Sequence, residues 1–454
     1  MVRPTVVLAV CRTVMQQPGA ANMLLALAKN VLLMLAAVNM DFACYESWMA
    51  RKSFHKVTPT DLLLDALTHI NFPFAYIDPD LYQIVTMDSD TPSTLFQDTT
   101  NVKSIKSDIE VFVSVGGWTF SDNSTATQPV YGKIAADATK RQTFADNVVH
   151  FLKQLGFDGL DIDWEHPNAG DRGGSPEDTE NYGLFLKALR ETFDASRSNF
   201  GLTFTAPSSY WYLRWFDLPN MIKYADWINI MTYDIHGVCD STDPIGIKLA
   251  ADLFWRVNIP PEKLVMGFGF YGRSFTLADK SCTTPGCPFK DASSPGCCSD
   301  TGGILAYYEV MDVLNGASTS SKRSTITPVH DKTDAVNYFT FDGDQWVSYD
   351  DATTFAQKVA WVNEVGIGGA MIWASDLRRV DKALSNPQSV IQSLASFNGQ
   401  NCFKYDEKCT DAGCGKKSCH CRKPVCCRTS SAPKNCMWRG DNTGDTGVSS
   451  DCNA

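Results

Sequence analysis

Residues 158–165 read Asp-Gly-Leu-Asp-Ile-Asp-Trp-Glu, an octapeptide in which acidic and apolar side chains alternate. Successive side chains of an extended strand point to opposite faces. The alternation therefore places Asp161, Asp163 and Glu165 on one face and the apolar side chains on the other. Apolar residues between positions 151 and 157 precede the octapeptide, which favours a buried strand over a solvated acidic edge strand.

Three carboxyl groups that face one small space cannot all stay ionised at neutral pH, because like charges raise one another's pKa. At least one of them is expected to hold its proton, as a general acid must. A calcium-binding loop also carries acids at alternate positions, but His166 stands where that loop needs Gly and Arg172 where it needs Glu. The motif therefore predicts acid–base chemistry without a metal or a cofactor.

The octapeptide matches the motif Asp-x-x-Asp-x-Asp-x-Glu of the family 18 glycoside hydrolases, and the chain resembles this family over roughly residues 40–390. Further matches occur in the expected order at Ser114–Trp118, Met231–Asp234, Tyr271–Arg273 and Trp373. Segments 282–289 and 302–308 resemble the inserted domain of the fungal, killer-toxin-like (class V) chitinases. The resemblance implies a chitinase that hydrolyses β-1,4 linkages between N-acetylglucosamine units.

The same resemblance implies substrate-assisted, retaining catalysis, in which the 2-acetamido carbonyl of the sugar attacks the anomeric carbon. Glu165 is then the general acid, Asp163 orients the acetamido nitrogen, Asp161 shares a proton with the stack, and Tyr233 hydrogen-bonds the acetamido carbonyl. The residues expected to bind substrate are Tyr45, Gly116, Gly117, Trp118, Met231, Asp234, Tyr271, Arg273 and Trp373.

Specific expectations attach to some members of this set. Trp373 is expected to lie under the sugar at the cleavage point, because an aromatic face packs against the apolar face of a pyranose. Gly116 and Gly117 are expected to let the backbone approach the ligand closely. Tyr45 is expected to form a wall of the groove and Asp158 to support the acidic strand. Cys239 stands where the fungal relatives usually carry Trp, so we expect altered sugar affinity in that loop.

Short apolar runs separated by helical stretches predict an α/β fold, a (β/α)8 barrel whose catalytic groups gather at the carboxyl ends of the strands. The predicted strands are Phe42–Trp48, His69–Ile77, Glu110–Val115, Gly159–Trp164, Leu202–Ala206, Trp227–Met231, Leu264–Phe268 and Gly369–Trp373. About 100 residues separate the last two, far more than one barrel helix needs. We interpret Ser274–Tyr349 as an inserted α+β subdomain that walls the groove; a surface loop is the alternative.

The predicted catalytic domain, residues 40–395, is flanked by a leader at 1–39 and a cysteine-rich tail at 396–454. Within the leader, Met23–Val38 resembles a signal-peptide core, with a buried lead-in helix as the alternative.

Nine of the 16 cysteines follow residue 400, which indicates a disulfide-stapled module and a secreted, extracellular protein. Zinc is the alternative there, but the tight Cys419-His420-Cys421 run lacks the spacing of structural zinc sites. Because nine is odd, either one tail cysteine pairs elsewhere or the tail is truncated.

The net charge of −11 comes without a basic patch, which argues against a nucleic-acid partner and fits a neutral polysaccharide such as chitin. No uninterrupted apolar run reaches the length of about 20 residues that a membrane span needs. We expect a monomer.

Two other functions stay open on the same barrel. An inactive chitin-binding lectin would normally lack the Glu that is present here, and the insert argues against an endo-β-N-acetylglucosaminidase acting on N-glycans.

Overall fold

The computed structural model describes residues 40–49, 57–235, 246–296, 299–314 and 326–374. Nine strands form its main sheet: β1 Met40–Cys44, β2 His69–Ile77, β3 Ile84–Thr86, β4 Glu110–Gly116, β5 Gly159–Asp163, β6 Gly201–Pro207, β7 Trp227–Met231, β8 Leu264–Gly269 and β15 Gly369–Trp373. All except β3 are parallel to their neighbours, and β1 pairs with both β15 and β2, which closes the barrel. The predicted (β/α)8 barrel is confirmed.

Seven predicted strands agree with the observed bounds to within one residue. The first is wrong, because β1 ends at Cys44 and the chain then turns. Tyr45 and Met49 in this turn are fully buried. An apolar run alone does not distinguish a strand from a buried turn, so the prediction ran on to Trp48.

The helices are α1 Thr94–Thr100, α2 Val130–Ala136, α3 Ala138–Leu155, α4 Asp178–Ala195, α5 Tyr210–Leu213, α6 Leu218–Met221, α7 Ile247–Trp255, α8 Tyr307–Leu314 and α9 Ala352–Val365. Helix α3, which leads into the acidic strand β5, shows how local sequence sets these bounds. The Asp137 side chain accepts hydrogen bonds from two backbone N–H groups of the first turn. Gly156 ends the helix with a φ of 76°, a left-handed conformation that suits glycine.

A second sheet lies between β8 and β15 in the chain, and its strands are β9 Tyr271–Leu277, β10 Phe289–Ala292, β11 Ile304–Ala306, β12 Val329–Asp331, β13 Val336–Phe341 and β14 Gln345–Tyr349. Their order in the sheet is β10-β9-β14-β13-β12, with β11 paired to β9. This sheet has a small core of its own, centred on Leu305, Val310 and Val347, and a disulfide joins Cys282 to Cys287. It begins at Tyr271, three residues before the predicted start, because β9 follows β8 after a single residue.

Aromatic rings fill the amino-terminal end of the barrel. Phe112 lies 5.4 Å from Trp227 and 5.7 Å from His69, measured between ring centroids. Gly159 and Gly201, the next residues across the sheet, make room for this ring: an added Cβ would lie 2.2 Å and 2.3 Å, respectively, from Phe112 carbon atoms. Both glycines are therefore needed for packing.

We expect Gly201→Ala to destabilise the protein by about 1–3 kcal/mol, because the new methyl group overpacks a full core. Urea unfolding measures this loss. Gly170→Ala, where an added Cβ meets nothing within 4 Å, is the matched control and should leave the unfolding midpoint unchanged. If Gly201→Ala combined with Phe112→Leu regains part of the lost stability, contact with the Phe112 ring causes the loss. Unchanged stability in Gly201→Ala would contradict this packing argument.

Among the described ranges, no helix combines the length and apolar character needed to cross a bilayer. The predicted leader at 1–39, Cys239 and the predicted tail at 396–454 lie outside the described residues.

Candidate active site

The acidic motif lies at the carboxyl end of β5, inside the barrel opening. Asp161, Asp163 and Glu165 are exposed by only 2%, 4% and 9%. The opposite face of the motif packs outward, where the Trp164 ring lies 5.3 Å from Tyr131 and 5.1 Å from Tyr182. The strand therefore buries its apolar face against the helices and holds its carboxyl groups in the barrel.

Asp161 is surrounded by donors from three other strands. Its Oδ1 accepts hydrogen bonds from Thr203 Oγ1 at 2.7 Å and Asn229 Nδ2 at 2.9 Å. Its Oδ2 accepts from Ser114 Oγ at 2.7 Å and Thr205 Oγ1 at 3.2 Å. Burial raises the pKa of Asp161, while all four hydrogen bonds act to lower it. Both oxygens of this carboxyl group are thus used as acceptors.

The hydrogen-bonding environment of Asp163 differs from that of Asp161. Its Oδ1 is buried without a hydrogen-bond partner among the described residues. Burial first, then the charges of Glu165 and Asp161, raise the pKa of Asp163 well above its usual range. Burial and the neighbouring charges therefore both favour the protonated form of Asp163.

Glu165 follows the strand and lies nearest the opening. Burial raises the pKa of Glu165 to about 7; the Arg172 charge opposes this effect, and the charges of Asp234 and Asp122 add to it. A carboxyl group with this pKa is protonated in a large fraction of molecules near neutral pH, which suits a general acid.

Arg172 was not predicted as a site residue, yet it connects three parts of the opening. Its Nε donates to the backbone oxygen of Glu165 at 3.2 Å, and its Nη1 to Asp122 at 2.9 Å. The guanidinium carbon lies 3.8 Å from the centre of the Trp118 ring. Spacing in the sequence does not reveal these contacts, because they depend on how the loop after β5 folds back over the loop after β4.

His166 was also missed, although it follows Glu165 directly. It is buried, and its ring stacks on Tyr212 with centroids 4.1 Å apart. Its Nε2 lies 3.7 Å from Oε2 of Glu165. Burial, together with the Arg172 charge, lowers the pKa of His166 to about 3. A neutral imidazole therefore borders the proposed acid.

Predicted residues from three separate segments meet on the other side of the opening. Asp234 Oδ1 accepts hydrogen bonds from Arg273 Nε at 2.7 Å and from the Tyr271 hydroxyl. The Tyr233 ring lies 6.4 Å from Trp373 and 6.3 Å from Tyr271. The Asp234 charge raises the pKa of Glu165, so this group acts electrostatically on the acidic stack. Met231, half-buried, ends the neighbouring strand β7.

The structure changes the interpretation of three predicted residues. Gly116 and Gly117 have φ values of 111° and 88°, but protein atoms fill the space beside them: an added Cβ would lie 2.1 Å from the Asp163 backbone oxygen and 2.5 Å from the Phe74 ring, respectively. Packing against protein atoms therefore requires both glycines, and their close approach to a ligand stays a prediction. Tyr45 is not a groove wall, because it is fully buried and its hydroxyl donates to the Val57 backbone oxygen at 2.8 Å.

Asp158, predicted as a support, lies at the start of the acidic strand. Its carboxylate accepts from the Val111 backbone N–H at 2.8 Å and pairs with Lys103 Nζ at 2.6 Å. These contacts join the beginnings of β4 and β5. Over the described ranges, no group of three or more His, Cys, Asp or Glu side chains is arranged to hold a metal ion.

A closed (β/α)8 barrel with a stack of buried carboxyl groups at the carboxyl end of one strand is typical of barrel glycoside hydrolases. The family model of glycosyl hydrolases family 18 matches residues 41–377. The chain belongs to this family, which confirms the resemblance seen in its motifs.

Named relatives support the same assignment. Chitotriosidase-1 of Mus musculus is 30% identical over 361 residues, covering 74% of this chain and 73% of the relative. Secreted chitinase LysM12 of Penicillium expansum is 29% identical over 343 residues, covering 70% of this chain but only 22% of the relative. The crystal structure of Ostrinia furnacalis Group IV chitinase in complex with allosamidin shares 26% identity and a TM-score of 0.72, over 80% of this chain and 100% of that one.

Proposed function

We propose that the protein is a secreted chitinase that hydrolyses β-1,4-N-acetylglucosamine linkages in chitin and chitooligosaccharides by substrate-assisted, retaining catalysis. The observation that carries the proposal is the buried stack of Asp161, Asp163 and Glu165 at the barrel opening, with the pKa of Glu165 raised to about 7. The related chitinases supply the substrate class, and the relative named as secreted supports an extracellular location.

In the first step, Glu165 gives its proton to the glycosidic oxygen while the 2-acetamido carbonyl oxygen attacks the anomeric carbon. The bond between that carbon and the leaving oxygen breaks, and an oxazolinium ion forms on the sugar. In the second step, Glu165 takes a proton from a water molecule, which attacks the same carbon and reopens the ring. Two displacements at one carbon retain its configuration, and no carboxylate nucleophile is needed.

Asp163 is the group that we place against the acetamido nitrogen. Its Oδ1 has no hydrogen-bond partner among the described residues and can accept from the acetamido N–H, and its raised pKa is consistent with a proton that stays on the carboxyl group when Glu165 becomes charged. Asp161 was expected to share this proton. Its four hydrogen-bond donors favour the ionised form, so we place the resting proton on Asp163 instead.

Tyr233 and Trp373 complete the proposed cleavage site. Their nearly parallel rings, 26° apart, border an opening in which a sugar would lie on Trp373 with its acetamido carbonyl toward the Tyr233 hydroxyl. Asp234 is held in place by Arg273 and Tyr271 and adds an acceptor for sugar hydroxyl groups.

The test is hydrolysis of chitin hexaose by the purified full-length protein, with the anomeric form of fresh product followed by NMR. Rapid appearance of the β-anomer in dimers to tetramers is the expected result. Fresh α-anomer would exclude the retaining mechanism. Binding of hexaose without hydrolysis would favour the lectin, and release of N-glycans without hexaose hydrolysis would favour the endo-β-N-acetylglucosaminidase.

We expect the activity to fall as pH rises through about 7, because Glu165 donates a proton only in its protonated form and its pKa is raised to about 7. The pH profile of kcat/KM for hexaose measures this basic limb. Arg172→Gln removes a charge that lowers this pKa, so its limb should lie at higher pH than that of the wild type. A wild-type limb near the ordinary Glu value of 4.5 would contradict the assignment.

A further inference from the structure

One asparagine of the chain carries the sequence pattern of an N-glycosylation acceptor. Asn123 is followed by Ser124 and Thr125, and no other Asn in the sequence is followed, after one residue other than proline, by Ser or Thr. The triplet lies in the loop after β4, between a short helical turn, Thr119–Ser121, and helix α2. Because chance also produces such triplets, the case for modification depends on where this loop places the asparagine.

The turn around Asn123 is open to solvent. Residues 123–126 are all exposed. The Thr125 backbone N–H donates to the Asp122 backbone oxygen at 3.3 Å, and the Thr125 hydroxyl donates to the same oxygen at 2.7 Å. Asn123 and Ser124 therefore occupy the tip of this turn, which we call the Asn123 turn (residues 122–126). N-linked sugars are attached in such surface loops of secreted proteins.

The side-chain amide of Asn123 is held in place but not covered. Its Nδ2 donates to the Asp171 backbone oxygen at 2.6 Å, in the loop after β5. An amide nitrogen carries two hydrogens, and a bond to a sugar replaces one of them, so the same hydrogen bond can persist in the modified residue. Next to this contact lies Gly173, where an added Cβ would be 3.3 Å from Asn123 Oδ1, so no side chain covers the amide group from that position.

The Asn123 turn lies against the loop that supports the proposed acid. Arg172 Nη1 donates to Asp122 at 2.9 Å, and Gln128 Nε2 donates to the Arg172 backbone oxygen at 2.9 Å. The same guanidinium donates through Nε to the Glu165 backbone oxygen. Exposed loop tips with small polar residues are preferred sites of proteolysis. Cleavage in this turn would therefore cut a loop that holds Arg172 in place.

We propose that Asn123 carries an N-linked oligosaccharide on Nδ2 and that this glycan shields the Asn123 turn from proteases outside the cell. The inference rests on the proposed function, because only a secreted chain meets the oligosaccharide transferase. In the transfer, a bond forms between Nδ2 and the anomeric carbon of the first N-acetylglucosamine. The bond from that carbon to the diphosphate of the lipid-linked donor breaks, and the amide group gives up one proton.

The first test is peptide mass mapping of the full-length protein after secretion from a yeast host behind a supplied signal sequence. The peptide that contains Asn123 should carry N-acetylhexosamine and hexose, and Asn123→Gln should lose this mass. Asn147→Gln is the matched control, because Asn147 Nδ2 also donates to a backbone oxygen, that of Tyr82 at 2.8 Å, but two valines follow it. It should keep the glycan. A secreted protein with a bare Asn123 would overturn the proposal.

The second test compares rates of cleavage in the Asn123 turn when the folded protein is exposed to a nonspecific protease. Asn123→Gln should be cut there several-fold faster than the glycosylated wild type. Wild type trimmed by an endo-β-N-acetylglucosaminidase keeps one sugar and the amide donor to Asp171, so faster cleavage of this form would assign the shielding to the glycan and not to the hydrogen bond. Equal rates for all three forms would overturn the shielding.

Failure of the proposed function gives different results. Absence of hexaose hydrolysis by the same preparation would overturn the chitinase and leave the glycan site standing, because the supplied signal sequence carries the chain to the transferase. The chain expressed with its own amino terminus should also be secreted and glycosylated. Retention of that chain in the cytosol would overturn the extracellular location and, with it, the glycan on the native protein.

Discussion

Glu165→Gln should reduce the turnover of chitin hexaose by about 10³-fold or more, because an amide of the same shape cannot protonate the glycosidic oxygen. Binding should survive, since the substitution keeps the volume of a buried side chain and removes no ring from the opening. Initial rates and calorimetric binding of hexaose, measured on the same preparation, separate the two effects.

Glu191→Gln is the control for this experiment, because Glu191 is an exposed residue paired with Lys187 on α4. It should turn over hexaose as the wild type does. Turnover in Glu165→Gln comparable to that of the control would remove Glu165 from the acid role and with it the mechanism. Loss of both turnover and binding would show that the substitution damages the site rather than the chemistry.

Asp161→Ala should lower the free energy of unfolding by about 2–4 kcal/mol, because it leaves four buried donors without their acceptor. The donors come from β4, β6 and β7, so this one carboxylate holds together the interior of half the barrel. Urea unfolding of the purified variant gives the value.

Thr205→Val tests the same network at its weakest point, since Thr205 makes the longest of the four hydrogen bonds at 3.2 Å. It should lower the free energy of unfolding by about 1 kcal/mol or less. Wild-type stability in Asp161→Ala would show that the donors find other partners and that the carboxylate does not organise the barrel.

The barrel itself could be predicted from local patterns. Strand periodicity and the turns between strands are properties of neighbouring residues, so seven of the eight strand bounds were correct to within one residue. The exception, the first strand, arose where a buried turn carries the same apolar residues as a strand. The start of the second sheet was misplaced for a related reason, because β9 follows β8 after one residue without a turn signal.

Alternation at 158–165 was enough to predict that three carboxyl groups face one space, because side-chain direction along a strand depends only on the backbone. Which of them holds a proton depended on tertiary contacts. Ser114 is 47 residues from Asp161 in the chain and Asn229 is 68, so their convergence on one carboxylate is a product of barrel closure. Burial, the hydrogen bonds to Asp161 and the charges of Arg172, Asp234 and Asp122 act on the three pKa values together with the repulsion between the motif's own acids, and the motif reports only that repulsion.

The difference between what local sequence predicts and what the folded barrel decides is also seen at Arg172, His166 and the two glycines beside Phe112. Residue type and spacing indicated a catalytic strand, but no local pattern reports which side chain folds back onto Glu165 or which ring fills the space beside Gly201. Local sequence therefore determined the strands, the direction of their side chains and the class of chemistry. The folded barrel alone decided the partners, because contacts between strands distant in sequence form only when the sheet closes.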